Sequence, residues 1–136
     1  MKKKSWAEKL HGKKEIQIKK VDVDFADITA GSTMLIATPE AVDEYVKKIP
    51  KGKNVSIKTL RKDLALTYGA DVTCPLTAGI FLRIVAEAAY EEYQKTKSIK
   101  NISPFWRAID PKSKLASKLS FGKDFLIAQR IKEGIE

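Results

Sequence analysis

Three successive helices within residues 38–93 constrain the fold of this chain more than any other feature. Each begins with a threonine or serine that can cap free backbone amides, and two of the three carry a proline in the first turn. The patterns predict helices over residues 38–50, 56–69 and 73–93, closed by Pro50, by Gly69 and near Tyr93. In the first of them the apolar residues recur with the spacing of one helix face: Val42, Tyr45, Val46 and Ile49.

The N-terminal third of the chain predicts a short helix followed by two strands. Trp6 and Leu10 are four residues apart, which favours a helix docked by one face within a basic segment, residues 1–14. Alternation over residues 15–24 predicts an edge strand with a bulge at Lys19-Lys20, and the apolar run in residues 32–37 predicts a second strand.

The C-terminal third predicts a polar connection, an extended segment and a last helix. Residues 95–103 are polar, and a short hairpin-like stretch is expected through Lys114 and Leu115. The last helix is expected over residues 123–133, closed by Gly134. At 136 residues, the chain fits a single domain, residues 15–136, after the basic segment.

The charge of the chain favours a polyanionic partner. There are 26 Lys and Arg against 17 Asp and Glu, a formal net charge of +9. Such an excess is typical of proteins that contact nucleic acid, the ribosome or an anionic surface. A lysine-rich solvated surface without a specific partner is the alternative interpretation.

Cysteine and histidine are too few for several kinds of chemistry. With one cysteine, Cys74, and one histidine, His11, the chain can form no internal disulfide and no Cys/His zinc site. We expect no metal and no cofactor. No apolar run approaches the length of about 20 residues needed for a membrane span, so we expect no membrane contact and a cytoplasmic location.

The tetrapeptide Pro104-Phe105-Trp106-Arg107 resembles an active-site motif without its nucleophile. In the alkylguanine-DNA alkyltransferases, the corresponding run is Pro-Cys-His-Arg, where the cysteine accepts the alkyl group and the histidine helps to form the thiolate. Residues 49–56 are similar to that family's Ile-Pro-x-Gly-x-Val-x-Ser/Thr run, and Glu133-Gly134 to the Glu-Gly that closes its last helix.

This resemblance covers roughly residues 42–134 and extends to a group of small prokaryotic relatives that lack the nucleophilic cysteine. It implies an α+β, mostly helical fold: a winged helix-turn-helix-like domain with a short N-terminal strand region. In that layout the long helix is the recognition helix and the hairpin is the wing. The partner implied is double-stranded DNA, with a connection to DNA repair.

The departures from the family pattern remove its chemistry. Phe105 and Trp106 can neither accept an alkyl group nor relay a proton. The family's flipping aromatic corresponds to Ile57, and the arginine that fills the duplex has no counterpart within residues 76–79. Alkyl transfer is therefore not expected, and the resemblance does not carry base flipping over to this chain.

Candidate DNA contacts are basic residues around the turn at Pro50 and small or hydroxylated residues at the start of the long helix. They are Lys47, Lys48, Lys51, Lys53, Lys58, Arg61, Thr73, Thr77 and Gly79. Ala78 and Gly79 could equally serve close helix packing. Phe105 and Trp106 could stack on an exposed base, or they could be core aromatics with Arg107 structural.

Three functions follow from these patterns. The first is a non-catalytic DNA-binding protein related to the alkyltransferases. The second is an interaction module for RNA, the ribosome or an acidic protein. The third is a thiol-dependent enzyme using Cys74, whose position before Pro75 at a helix start can favour the thiolate; a buried, inert thiol is the alternative.

Overall fold

A computed structural model describes residues 5–12 and 15–135. The chain forms an α+β fold that is mostly helical, as the sequence predicted. Lys13 and Lys14 of the basic segment, like residues 1–4, lie outside the described residues. The elements are α1 (Trp6–Leu10), β1 (Gln17–Lys20), β2 (Thr33–Ile36), α2 (Pro39–Lys47), α3 (Ile57–Tyr68), β3 (Val72–Thr73), α4 (Pro75–Thr96), a 3-10 turn (Phe105–Arg107), α5 (Lys114–Ser117) and α6 (Asp124–Lys132).

Two of the three predicted helix starts are confirmed by their caps. The third helix begins later than predicted, because Thr73 lies in β3 and α4 starts at Pro75 without a side-chain cap. The Thr38 hydroxyl accepts a hydrogen bond from the Ala41 amide at 3.1 Å, and Ser56 accepts one from Thr59 at the same distance. Gly69 closes α3 with a φ of 76°, a left-handed conformation that favours glycine. α4 is slightly longer than predicted and ends at Thr96.

The three strands form one small sheet in the order β1-β2-β3. β1 pairs antiparallel with β2 in a continuous register from Gln17 opposite Ile36 to Lys20 opposite Thr33, so the predicted bulge is absent. The predicted strand over residues 15–24 is also too long. After Val21 the chain turns, and within this turn Asp24 accepts a hydrogen bond from the Ala30 amide at 2.8 Å. The parallel strand β3 was not predicted.

The predicted hairpin through Lys114 and Leu115 is wrong, because this segment is the helical turn α5. Ser113 caps it by accepting a hydrogen bond from the Ala116 amide at 3.2 Å, and Ala116 is buried. No strand follows the 3-10 turn in the described part of the chain. The fold therefore has no β wing at this position.

α4 lies at the centre of the fold, in contact with α1, α2, α3 and the 3-10 turn. Its inner face contributes Leu82 and Val85 to one continuous core that includes Leu35 from β2 and Leu126 from α6. None of the described helices combines the length and the apolar character needed to cross a bilayer.

Candidate nucleic-acid interface

The aromatic pair of the tetrapeptide is buried. Phe105 is 0% exposed and Trp106 is 2% exposed. The Phe105 ring meets Trp106, Phe121 and Phe125 at centroid distances of 5.4 to 6.0 Å. Large rings contribute most to stability when they are buried in this way. The base-stacking interpretation is therefore wrong, and the core interpretation is confirmed.

Glu133 joins the tetrapeptide to the turn at Pro50. Its carboxylate accepts hydrogen bonds at 2.8 Å from Nε and Nη2 of Arg107 and from Nε1 of Trp106, and at 3.0 Å from the Gly52 amide. Arg107 also donates to the Ile49 carbonyl at 2.8 Å. The structural interpretation of Arg107 is thus confirmed.

The environment of Glu133 keeps it ionised. Burial alone would raise the pKa of this carboxyl group, but the hydrogen bonds from Arg107, Gly52 and Trp106 outweigh burial and lower the pKa to about 2. A charged hydrogen-bond network therefore lies beneath the turn at Pro50 throughout the neutral pH range.

Three lysines from separate segments surround one cleft above this network. Lys47 comes from the end of α2, Lys51 from the turn at Pro50, and Lys100 from the connection after α4. We call this site the lysine cleft. Its volume is about 450 Å³, and it is also lined by Asn101, Trp106, Arg107 and Glu133.

Two lysines of the lysine cleft are free to bind an anion. Lys47 forms an ion pair with Asp43 at 3.1 Å, whereas Lys51 and Lys100 are exposed and have no acidic partner among the described residues. Lys100 was not predicted at this site, because only the folded path of residues 97–104 brings it beside the turn at Pro50.

The other predicted cations are distributed over different surfaces. Lys48 lines a separate cleft beside Glu44, and Lys53 is exposed after Gly52. Lys58 and Arg61 line a third pocket, which also contains Asp27 and Asp71. The predicted cluster is therefore not one patch.

Arg61 is paired within the chain. Its two Nη atoms donate to the Asp27 carboxylate at 2.8 and 2.9 Å, and its Nε donates to the Thr73 carbonyl at 3.0 Å. Hydrogen bonds from Arg61 lower the pKa of Asp27. The guanidinium of Arg61, predicted as a DNA contact, thus already has an intramolecular partner.

The start of α4 does not offer hydroxyl groups to a ligand. Thr73 is buried, and its hydroxyl donates to the Arg61 carbonyl at 2.6 Å. The Thr77 hydroxyl oxygen is buried without a hydrogen-bond partner among the described residues. Ala78 packs in the core, while Gly79 faces open space. The outer surface here is apolar, formed by Leu76 and Ile80.

Cys74 is a buried thiol at the N-terminus of α4. It is 4% exposed, its side chain makes no capping hydrogen bond, and its amide donates to the Leu35 carbonyl at 2.8 Å. The single histidine, His11, lies on α1's C-terminal side. No group of His, Cys, Asp and Glu in the described residues could hold a metal ion.

We expect the Cys74 thiol to react slowly in the folded protein. Burial should make its reaction with an aromatic disulfide reagent at least about ten-fold slower than in the urea-unfolded chain. The chain has one cysteine, so absorbance of the released thiolate reports Cys74 alone. Rapid modification of the folded protein near neutral pH would instead support the thiol-dependent enzyme.

Comparison of the chain with models of known families, with curated proteins and with solved structures returns no match.

Proposed function

We propose that this protein binds nucleic acid without catalysis, with double-stranded DNA as its preferred partner and the lysine cleft as its main phosphate contact. The observation that carries the proposal is one cleft lined by Lys47, Lys51 and Lys100, two of them without an acidic partner among the described residues, in a chain with a net charge of +9. Lysine ammonium groups are common phosphate ligands, and a basic face draws a polyanion from solution.

The turn that carries Lys51 is held in place before a ligand arrives. Gly52 has a φ of 82°, and its amide donates to the Glu133 carboxylate at 3.0 Å. The Lys53 amide donates to the Pro50 carbonyl at 3.1 Å. Because the backbone is fixed at both points, binding need not first order this turn, and less entropy is lost.

The contacts proposed here are to phosphates, not to bases. Phe105 and Trp106 are buried, and the start of α4 exposes Leu76 and Ile80 in place of hydrogen-bonding side chains. Phosphate contacts position a protein on a duplex but carry no sequence information. We therefore expect affinity that depends strongly on salt and weakly on sequence.

A helix-turn-helix-like arrangement of α3 and α4, without a β wing, is part of this proposal. So is the relation to the DNA-binding domain of the alkyltransferases, with a role connected to DNA repair. It is supported by the contact of Arg107 with Glu133 at 2.8 Å, since this contact joins two of the motifs that carry the resemblance.

The lysine cleft is tested by reversing two of its charges. In the variant K51E/K100E, binding of a short DNA duplex should weaken by about ten-fold or more at low salt, because two phosphate contacts are lost. The slope of log K against log salt should become shallower by about 2. Fluorescence anisotropy over about 50 to 200 mM salt measures both quantities.

The matched control is K19E/K62E, which changes net charge equally at exposed lysines outside the lysine cleft. If the control weakens binding as much as K51E/K100E, net charge acts without a defined site. If the unmodified protein does not bind the duplex at low salt, the proposed function is wrong. Tighter binding of structured RNA in competition would assign the lysine cleft to RNA.

A further inference from the structure

An apolar groove with a basic rim runs along the first turns of α4, and it shares no lining residue with the lysine cleft. We propose that this groove binds a partner protein through an acidic amphipathic helix. Its floor is formed by Trp6, Leu76, Ile80, Ile84 and Leu115, and its volume is about 460 Å³. We call it the α4 groove.

The apolar side chains of the α4 groove form a continuous surface. Leu76 is 63% exposed and Ile80 is 50% exposed, and both line the same groove with Trp6. Residues at i and i+4 lie one above the other on a helix, so Leu76 and Ile80 present one stripe. Single exposed apolar residues are ordinary, whereas a grouped apolar surface with a polar rim is typical of an interaction site.

The rim of the α4 groove is basic. Lys9, Arg83 and Lys118 line it, and no acidic residue does so in the described part of the chain. Lys9 lies over the Trp6 ring, with Nζ at 4.2 Å from the centroid. A ligand that fits the α4 groove therefore combines apolar side chains with carboxylates beside them.

The acidic residues on the neighbouring turns of α4 already have partners. Glu87 is buried, accepts hydrogen bonds from Ser120 and forms an ion pair with Arg83 at 3.4 Å. Glu91 accepts hydrogen bonds from the Trp6 and Ala7 amides at 3.3 and 3.2 Å. Neither carboxylate pairs with Lys9 or Lys118, so both lysines can form ion pairs with carboxylates of a partner.

Two other occupants fit this surface less well. A nucleic-acid backbone would gain nothing from Leu76 and Ile80 at the centre of the α4 groove, because phosphates lose hydration against apolar side chains. A second copy of the chain would bring two basic rims together, and each copy carries a net charge of +9. An amphipathic helix with anchors at i and i+4 and flanking carboxylates satisfies both the floor and the rim.

The experiment selects ligands without assuming a partner. The full chain is immobilised and presented with a displayed library of helical peptides in which the apolar and the charged positions are randomised. Selected peptides should carry apolar residues at i and i+4 and a net negative charge. Their affinity, measured by fluorescence anisotropy, should fall by about ten-fold or more for the variant L76S, because an exposed anchor contact is removed.

The matched control is L66S, since Leu66 is also a leucine in a helix and is 71% exposed, but lies outside the α4 groove. A second variant, K118E, should lower the affinity for acidic peptides more than the affinity for neutral ones, while K19E should not.

The proposal is overturned if no peptide is selected above background, if selected peptides are not acidic, or if L76S and L66S bind alike. It is also overturned if sedimentation shows a dimer that L76S dissociates. DNA binding is measured on the same variants, so either proposal can fail alone.

Discussion

Replacement of Phe105 by alanine is expected to lower the free energy of unfolding by about 4 kcal/mol. Phe105 is fully buried against Trp106, Phe121 and Phe125, so the truncation leaves a cavity and removes three ring contacts. Urea unfolding followed by tryptophan fluorescence measures the loss.

The same substitution at Phe25 is the control, because that ring is 39% exposed and should cost far less. At a temperature where F105A remains folded, we expect its affinity for DNA to be unchanged. A variant with normal stability but weakened DNA binding would contradict the core role given to Phe105.

Glu133→Gln is expected to lower the free energy of unfolding by about 3 kcal/mol near neutral pH. The substitution removes the carboxylate charge and leaves the Arg107 guanidinium without a counter-charge in a nearly buried network. The carboxylate and guanidinium side chains are only 7% and 15% exposed. Chemical denaturation of both proteins measures the difference, and Glu92→Gln is the control at an exposed carboxylate. Equal stability of the three proteins would contradict the structural role given to Glu133.

The acid dependence of stability should reveal the same carboxylate. The pKa of Glu133 is about 2 in the folded protein, below the value of about 4.3 expected in the unfolded chain. Its contribution is therefore fully present above pH about 4.3 and is lost as the pH falls towards 2. In that window, the stability of the unmodified protein should fall more steeply than that of E133Q. Parallel acid limbs for the two proteins would contradict the lowered pKa.

The helices could be predicted because their signals are local. A capping hydroxyl before Pro39, a second at Ser56 and the glycine at position 69 act within a few residues of the helix ends that they define. The sheet was harder to predict. β3 has only two residues, Val72 and Thr73, and its parallel pairing with β2 depends on contacts across nearly forty positions of sequence.

The site was predicted only in part, because charge is visible in a sequence and pairing is not. Lys47 and Lys51 lie at the lysine cleft as a basic cluster would suggest. Arg61 carries the same charge, but folding places it against Asp27, and Lys100 reaches the cleft from a polar connection with no local signal. The helical turn at Lys114 was mistaken for a hairpin because a four-residue helix is too short to show periodicity.

Glu133 accepts a hydrogen bond from Gly52, 81 residues earlier in the chain. During synthesis, the turn that carries Lys51 emerges long before the carboxylate that anchors it. The three lysines of the cleft are therefore synthesised before the carboxylate that holds the turn of Lys51 in place. This long-range contact forms only after the last helix has left the ribosome. A protein shortened by its last few residues would keep nearly all of its positive charge and lose the anchor that positions Lys51. Truncation at the C-terminus would therefore disturb a cleft whose three lysines all lie earlier in the chain.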